Sequence, residues 1–390
     1  MNPIGLVTCY FHHNYGSMLQ AYATEMIMQE MELPYQTIAC KAPIDYMEAN
    51  KIGYVVKKLL IGDWKMKLGK MKVEREKKRN PTFAKNWAVR DEAFNRFADE
   101  SFRLSPYCKN RKELTAMAHD YSAFIVGSDQ LWRTDSVEHG YYTLEWVPDD
   151  ILKVAYSTSI GVKEVPWFQV KKNQRFMNRF DHIALREQSA CDLVYKLTGR
   201  KVQVVLDPTL LFTGEQWMGI QQVEPLTSGE YIFCYLLGNN PWQRELIKRV
   251  KAETGLKIVA LQHLDEYISS DEGFADEAPY NVGPREFLNY IRNAEYVFTD
   301  SFHCSVFSIL YKKKFFTFSR FSETAKQNTN TRIDNLMSLT GLQQRRVNAQ
   351  TGVNAILNTQ SDYAEVDKRL QLQRKSSMEY LCNALKGLGE

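Results

Sequence analysis

Nine short apolar or β-branched runs punctuate the chain, and each is followed by a stretch in which apolar residues recur at helical spacing. Ile4–Cys9, Ala123–Val126, Lys153–Ser157, His182–Leu185 and Val202–Leu206 form one set; Tyr231–Leu236, Lys257–Leu261, Tyr296–Thr299 and Phe315–Phe318 form another. A strand followed by a helix, repeated, is the pattern of a parallel sheet covered on both faces, so two sets predict two such sheets. The 390 residues suit two domains of ordinary size. Between the sets, "LDPTLLFTGEQW" holds a proline and a helix start, which places the junction near Asp207–Gly214. The expected division is a first domain over 1–210, a second over 211–345, and a helical tail over 346–390 placed to pack back on the first.

Composition narrows the class. Apolar residues make up 44% and charged residues 25%, the balance of a soluble globular protein. No run of about 18 apolar residues occurs, and "MNPIGLVTCY" enters a strand pattern with no basic region before it, so a cytoplasmic chain is expected. Seven cysteines with no C-x-x-C pair argue for reduced thiols and against a structural zinc; no metal is expected. Charge is concentrated between Lys51 and Asn80, where eleven Lys or Arg face three Asp or Glu, an excess of +8 in a chain of net charge +4. Val, Leu, Ile, Trp64 and Met interleave with these lysines. That suits a helical excursion whose apolar face packs on its own domain, and also a basic amphipathic helix in peripheral contact with an anionic membrane. No nucleic-acid partner is expected.

Four turns place polar groups at the carboxyl ends of their strands, where ligands bind in open α/β sheets. After the first strand, "FHHNYGSMLQAYA" offers Gly16 for a tight turn and Ser17 as a cap, and a helix start of this kind suits an anion. In "FIVGSDQLW", Gly127 and Ser128 end a strand and Asp129 projects a carboxylate; in "HIALREQSA", Arg186 and Glu187 precede a helix beginning near Ser189. The fourth, "EYVFTDSFHCSVFSIL", sets Thr299, Asp300, Ser301 and His303 in a turn ahead of a helix from Ser305. Each residue has a plainer use. Asp129 and Ser189 can cap helices, Arg186 can pair with Glu187 or another carboxylate, and His303 can bond a backbone carbonyl. The coincidence of four such turns at one end of two facing sheets argues for a cleft.

"NYGSMLQAYA", "VGSDQLW", "ALREQSA", "VVLDPTLL" and "TDSFHCSVFSIL", in this order, closely resemble the polysaccharide pyruvyl transferase family from about Ile4 to Leu342. The resemblance implies an α/β fold of two Rossmann-like domains facing across a cleft, similar to the B-type glycosyltransferases. It implies transfer of pyruvate from phosphoenolpyruvate, as co-substrate and without a further cofactor, onto two hydroxyls of a sugar, oligosaccharide or lipid-linked saccharide, with release of phosphate. By the same resemblance His303 is the acid or the phosphate binder, Arg186 holds phosphate or carboxylate, and Asp129 orients an acceptor hydroxyl or acts as base. Asn14, Tyr15, Gly16, Ser17, Gly127, Ser128, Gln130, Glu187, Asp300, Ser301 and Arg332 are the substrate-binding set.

The chemistry suits these residue types. Phosphoenolpyruvate is a small trianion that a guanidinium can hold bidentately, and its enol carbon must be protonated by a group of near-neutral pKa. One departure stands out: some branches carry arginine two positions before the motif histidine, where this chain has Ser301. The missing cation then falls to Arg332 or to Lys312–Lys314. A nucleotide-sugar glycosyltransferase and a non-catalytic sugar-binding member of a polysaccharide-assembly complex are the alternative readings.

Overall fold

A computed structural model describes residues 2–40, 64–162, 164–262, 268–320 and 331–388, with side chains of the helix Trp64–Arg79 described from Met71 onward. Two parallel sheets form. The first has the order β2-β1-β3-β4-β5-β6, from β1 (Ile4–Val7), β2 (Tyr35–Thr37), β3 (Ala123–Val126), β4 (Leu152–Thr158), β5 (His182–Leu185) and β6 (Gln203–Val204). The second has the order β10-β9-β7-β8, from β7 (Tyr231–Tyr235), β8 (Lys257–Leu261), β9 (Tyr296–Thr299) and β10 (Lys314–Thr317). All nine expected strands are present, within one or two residues except β6, which keeps two. The short strand β2 was not foreseen from the sequence, because "YQT" is too brief to show a period.

Strand pleating divides the apolar residues. Ile4, Leu6, Ala123 and Ile125 face a core that also takes Tyr231, Phe233 and Tyr235 from the second sheet, whereas Val7, Phe124 and Val126 face the opposite side. The layer between the sheets is therefore one continuous core rather than two. Tyr15 joins its parts: its ring stacks on Phe287 at 4.4 Å and its hydroxyl donates to the Val282 carbonyl at 3.0 Å. Trp217 meets Phe307 edge-on at 5.0 Å across the same layer.

Two helices strap the halves. The helix Pro81–Ser101, capped by Asn80, sends Arg90 to the Gln262 carbonyl at 2.9 Å and Phe94 against Tyr15. The helix Tyr363–Ala384 engages the second half through Tyr363, whose hydroxyl donates to the Lys313 carbonyl. Further on, its Ser377 hydroxyl accepts from Leu206 N at 3.0 Å, and Arg374 donates to the Leu210 carbonyl at 2.7 Å.

The basic segment Lys51–Asn80 lies partly outside the described residues, which exclude 41–63. Its later part is the helix Trp64–Arg79, with Val73 buried, Met71 exposed and Lys77 over the Trp87 ring at 4.6 Å. No helix among the described residues is long and apolar enough to cross a membrane.

Tyr15 provides a test of this layer. Tyr15→Ala should cost ~3–5 kcal/mol in urea unfolding, and Tyr15→Phe ~1 kcal/mol through the lost hydrogen bond. A Tyr15→Phe variant with native stability but weakened ligand binding would instead put the hydroxyl in the site.

Candidate active site at the facing strand ends

The carboxyl ends of β1, β3, β5, β6 and β9 converge on one cluster of charge. Its centre is Asp207, just past β6. Oδ2 accepts from the Ser128 hydroxyl at 2.6 Å and from Arg186 Nη1 at 2.7 Å, while Oδ1 accepts from Thr209 N at 3.1 Å and the Thr209 hydroxyl at 2.6 Å. His303 Nε2 stands 3.6 Å from the same Oδ2, beyond hydrogen-bond reach. Burial opposes the charge of Asp207, but His303, Arg186 and Ser128 outweigh it and hold the carboxyl well below the usual range.

Arg186 is thus hydrogen-bonded on one side only, with a looser ion pair to Glu187 on the other. Its Nε lies 3.8 Å from Glu187 Oε2, and neither Nε nor Nη2 has a hydrogen-bond partner among the described residues. Burial works against its charge, yet Asp207, Glu187 and Asp129 raise its proton affinity. Its guanidinium lies over the Phe302 ring at 4.7 Å, and Arg332 lies over the same ring at 5.8 Å with Nε also unpartnered. Burial and the neighbouring Arg186 lower the pKa of Arg332 to about 10, against the pull of Asp129 and Glu187. Two like charges held this closely, with open N–H groups, make a site for an anion. Lys312, Lys313 and Lys314 serve elsewhere, on Asp367, the Arg292 carbonyl and Glu295.

His303 does not sit in a loop ahead of its helix. The helix is Phe302–Leu310, three residues longer at its start than the sequence indicates, because Ser301 caps it and accepts from Cys304 N at 3.5 Å. The ring packs directly on the backbone of Gly16: a Cβ there would fall 2.0 Å from His303 Nδ1. That contact is the reason for glycine at this position. The first helix likewise begins earlier than expected, at Tyr15, with Asn14 rather than Ser17 as the cap; Asn14 Oδ1 accepts from Ser17 N at 3.2 Å.

Freed from capping, the Ser17 hydroxyl donates to Asp129 Oδ2 at 2.6 Å. Asp129 caps no helix, since the chain reaches the next one only at Thr134. It adopts φ 81°, a conformation costly for a side-chain residue, and is fixed there by Ser159 N bonding its carbonyl at 2.9 Å and by Gln130 N bonding Oδ1 at 2.8 Å. Ser157, at φ 57° beside the bulge in β4, is a second such residue next to this loop. Burial raises the pKa of Asp129, but His303, Arg186, Ser17 and Arg332 bring it down to about 2.

Other sequence candidates have structural duties. Asp300 faces away from the cluster and accepts from Leu237 N at 2.6 Å and Gly238 N at 2.7 Å, and burial raises its pKa. Tyr15 belongs to the core. Gly127 brings Thr8 within 3.0 Å of where its Cβ would be, Gln130 accepts from Arg133, and Glu187 accepts from the Ser159 hydroxyl at 2.7 Å while Oε2 has no hydrogen bond among the described residues and only the 3.8 Å ion pair with Arg186. Arg186, Glu187, Asp207, Phe302 and Arg332 line a cavity of about 390 Å³, whose far wall is Val205, Leu206, Leu336 and Leu339 with Gln373 from the strap helix. Such a volume is in the range of small-ligand sites, roughly 300–1,000 Å³. Asp207 and Thr209 were absent from the sequence-derived site, although "VVLDPTLL" contains both; the signal was an aspartate directly after a strand.

A family model described as polysaccharide pyruvyl transferase matches residues 14–322. No curated protein is similar enough to count as a match. Among solved structures, a protein from Listeria monocytogenes assigned as a UDP-N-acetylglucosamine 2-epimerase aligns with 10% identity and a TM-score of 0.50, covering 99% of this chain and 97% of its own. The UDP-GlcNAc 2-epimerase of Methanocaldococcus jannaschii gives 12% identity, a TM-score of 0.48 and coverage of 95% and 98%. The glycosyltransferase SnogD from Streptomyces nogalater gives 8%, 0.44, and 100% and 99%. The fold is the two-sheet α/β architecture of B-type glycosyltransferases and related epimerases.

Two measurements test the cluster. With a folded pKa of about 2 against an ordinary 3.8, Asp129 contributes stability that is complete above about pH 4 and lost as pH falls through about 2. Asp129→Asn should therefore be less stable than the native chain by ~2 kcal/mol at neutral pH, with the gap closing between about pH 4 and pH 2. A gap that does not change with pH would contradict an ionised Asp129. Gly16→Ala should displace the His303 ring and remove most activity, whereas Gly199→Ala, at an open helix end, should not.

Proposed function

The chain belongs to the polysaccharide pyruvyl transferase family, and from that premise we propose that it moves pyruvate from phosphoenolpyruvate onto two hydroxyls of a sugar, forming a cyclic ketal and releasing phosphate. The observation that carries this reading is the convergence of two guanidiniums with open N–H groups, the buried Arg186 and the half-buried Arg332, beside His303. A trianionic donor supplies the charge and the acceptor oxygens that these groups lack.

The geometry supports a role for each residue. With Nη1 committed to Asp207, Arg186 presents Nε and Nη2 as one edge, the arrangement that grips a carboxylate or phosphoryl group bidentately. Arg332 takes a second anionic group and supplies the cation that Ser301 does not. His303 donates the proton to the methylene carbon of the enol, which becomes the ketal methyl, and C2 then accepts the two hydroxyl oxygens in turn as phosphate departs, one hydroxyl proton restoring that of His303 and the other leaving on the phosphate. Asp129, with its pKa of about 2, is a poor base, so it orients an acceptor hydroxyl through Oδ1, which accepts only from Gln130 N among the described residues, whereas Oδ2 takes the Ser17 hydroxyl and the Cys9 thiol. The apolar wall of Val205, Leu206, Leu336 and Leu339 suits the C–H face of a sugar ring.

Incubation with phosphoenolpyruvate and a panel of lipid-linked or nucleotide-linked sugars, read by phosphate release and by product mass, tests the reading. Arg186→Ala should weaken donor binding by ~10–100-fold, and Arg186→Lys should recover little because the fork is lost. His303→Ala should lower turnover by ~10²–10⁴-fold with the fold intact. Turnover of uridine diphosphate sugars in place of phosphoenolpyruvate would turn the assignment to a glycosyltransferase, and sugar binding without phosphate release to a non-catalytic role.

A further inference from the structure

A groove of about 570 Å³ runs along the helix Val170–Arg179 on the outer side of the first sheet, and none of the charge-cluster residues lines it. Lys171, Lys172, Arg175 and Arg179 face it from the helix, and Arg111 faces it from the start of the helix Arg111–Met117. Glu145 and Asp149 are its two carboxylates. Five cations against two anions leave an excess of +3 in one concavity.

The cations are not equally engaged. Arg179 is structural: Nε donates to Asp149 at 2.8 Å, Nη1 to the Leu144 carbonyl at 3.1 Å and Nη2 to the Val147 carbonyl at 2.6 Å. Arg111 donates to the Glu145 carbonyl at 2.7 Å, and Lys172 donates to the Glu138 carbonyl at 3.2 Å and lies 3.7 Å from the carboxylates of Glu138 and Glu145. Lys171 and Arg175 are exposed and make no hydrogen bond or ion pair among the described residues. Burial, together with Arg179 and Arg175, lowers the pKa of Arg111 despite Glu145, as expected where like charges crowd without enough counter-charge.

We propose that this groove binds an oligoanion presenting two or more phosphoryl groups. Lys171 and Arg175 lie four residues apart, which at 1.5 Å per residue sets these two cations ~6 Å apart along the helix, a spacing for two successive phosphoryl groups on an extended chain. Phe176 gives the groove a buried floor. The concave shape suits a discrete chain better than a flat bilayer surface. The ligand is either a free oligophosphate or a phosphodiester-linked saccharide, which share this chemistry. The proposal stands independently of the donor assigned to the Arg186 cluster.

The test uses calorimetry on the full chain with inorganic tripolyphosphate at constant ionic strength, sulfate serving as control. Lys171→Ala/Arg175→Ala should fold normally, retain basal activity, and lose affinity for one tripolyphosphate site by ~10-fold or more. Because the guanidinium cluster can also take tripolyphosphate, the comparison is repeated in an Arg186→Ala background, where the groove event should persist and vanish only with the groove substitutions. Equal affinity with and without Lys171 and Arg175, or equal binding of sulfate, overturns the proposal. Tighter binding of a phosphodiester-linked oligosaccharide than of tripolyphosphate assigns the groove to a glycan chain, and the reverse to a free oligophosphate.

Discussion

Asp207 is the fixed point of the site. Its carboxylate takes donors from Ser128 after β3, from Arg186 after β5 and twice from Thr209, with His303 from the second half 3.6 Å away. A buried carboxylate is stable only when its oxygens are met and its charge is balanced. Here both conditions are satisfied by residues from separate strand ends, so the ionised state of Asp207 and the registration of those ends are one requirement. Asp207 saturates one side of the Arg186 guanidinium and thereby leaves the other edge open in a defined direction. In the proposed reaction it is a positioning residue, and the unbonded edge of Arg186 faces where it does because of it.

The remaining charges follow from that anchor. Asp129 and Glu187 offset the second guanidinium, yet Arg332 still has its pKa lowered to about 10 by burial and by Arg186. Asp129 is held at φ 81° and Ser157 at φ 57°, two of the five non-glycine residues with positive φ among the described residues, so part of the backbone strain lies where the charges meet. Strain of this kind, ~1–3 kcal/mol per residue, persists only where surrounding bonds over-determine it, as the Ser159 and Gln130 amides do for Asp129. A ligand bringing negative charge to Arg186 and Arg332 would relieve the repulsion between the two guanidiniums. Ligand binding and site stability are thus coupled through the same two side chains.

Much of this was legible because it is local. Strand runs followed by helical spacing gave both sheets, and polar residues at strand ends marked Asp129, Arg186 and His303. Three features were not legible, each for a reason of distance. Asp207 meets Ser128 across 79 residues and Arg186 across 21, and nothing in "VVLDPTLL" itself reveals those partners. Tyr15 reads as a helix-start residue facing a ligand, but its ring is claimed by Phe287 and its hydroxyl by Val282, 267 residues on. Asp300 reads as a cleft carboxylate beside His303, yet the amides of Leu237 and Gly238 turn it into the clasp between the ends of β9 and β7. Helix starts were placed late at Ser17 and Ser305 because a serine inside the first turn resembles a cap; the true caps, Asn14 and Ser301, lie just upstream.

The continuous core bears on how a ligand reaches the cluster. If the two halves met only across a polar cleft, opening them would expose little apolar surface. Instead Tyr15, Phe94, Phe287, Trp217 and Phe307 pack across the layer, and separating it would expose several large aromatic side chains at ~1.5–3 kcal/mol each. The strap helices Pro81–Ser101 and Tyr363–Ala384 add hydrogen bonds on both sides of the same layer. Wide hinge opening is therefore unfavourable, and the cavity beside Phe302, bounded by Arg332 and Gln373, is the economical route to the Arg186 edge. A site entered this way keeps its guanidiniums partly desolvated before the ligand arrives, which strengthens their hold on an anion and limits competition by water.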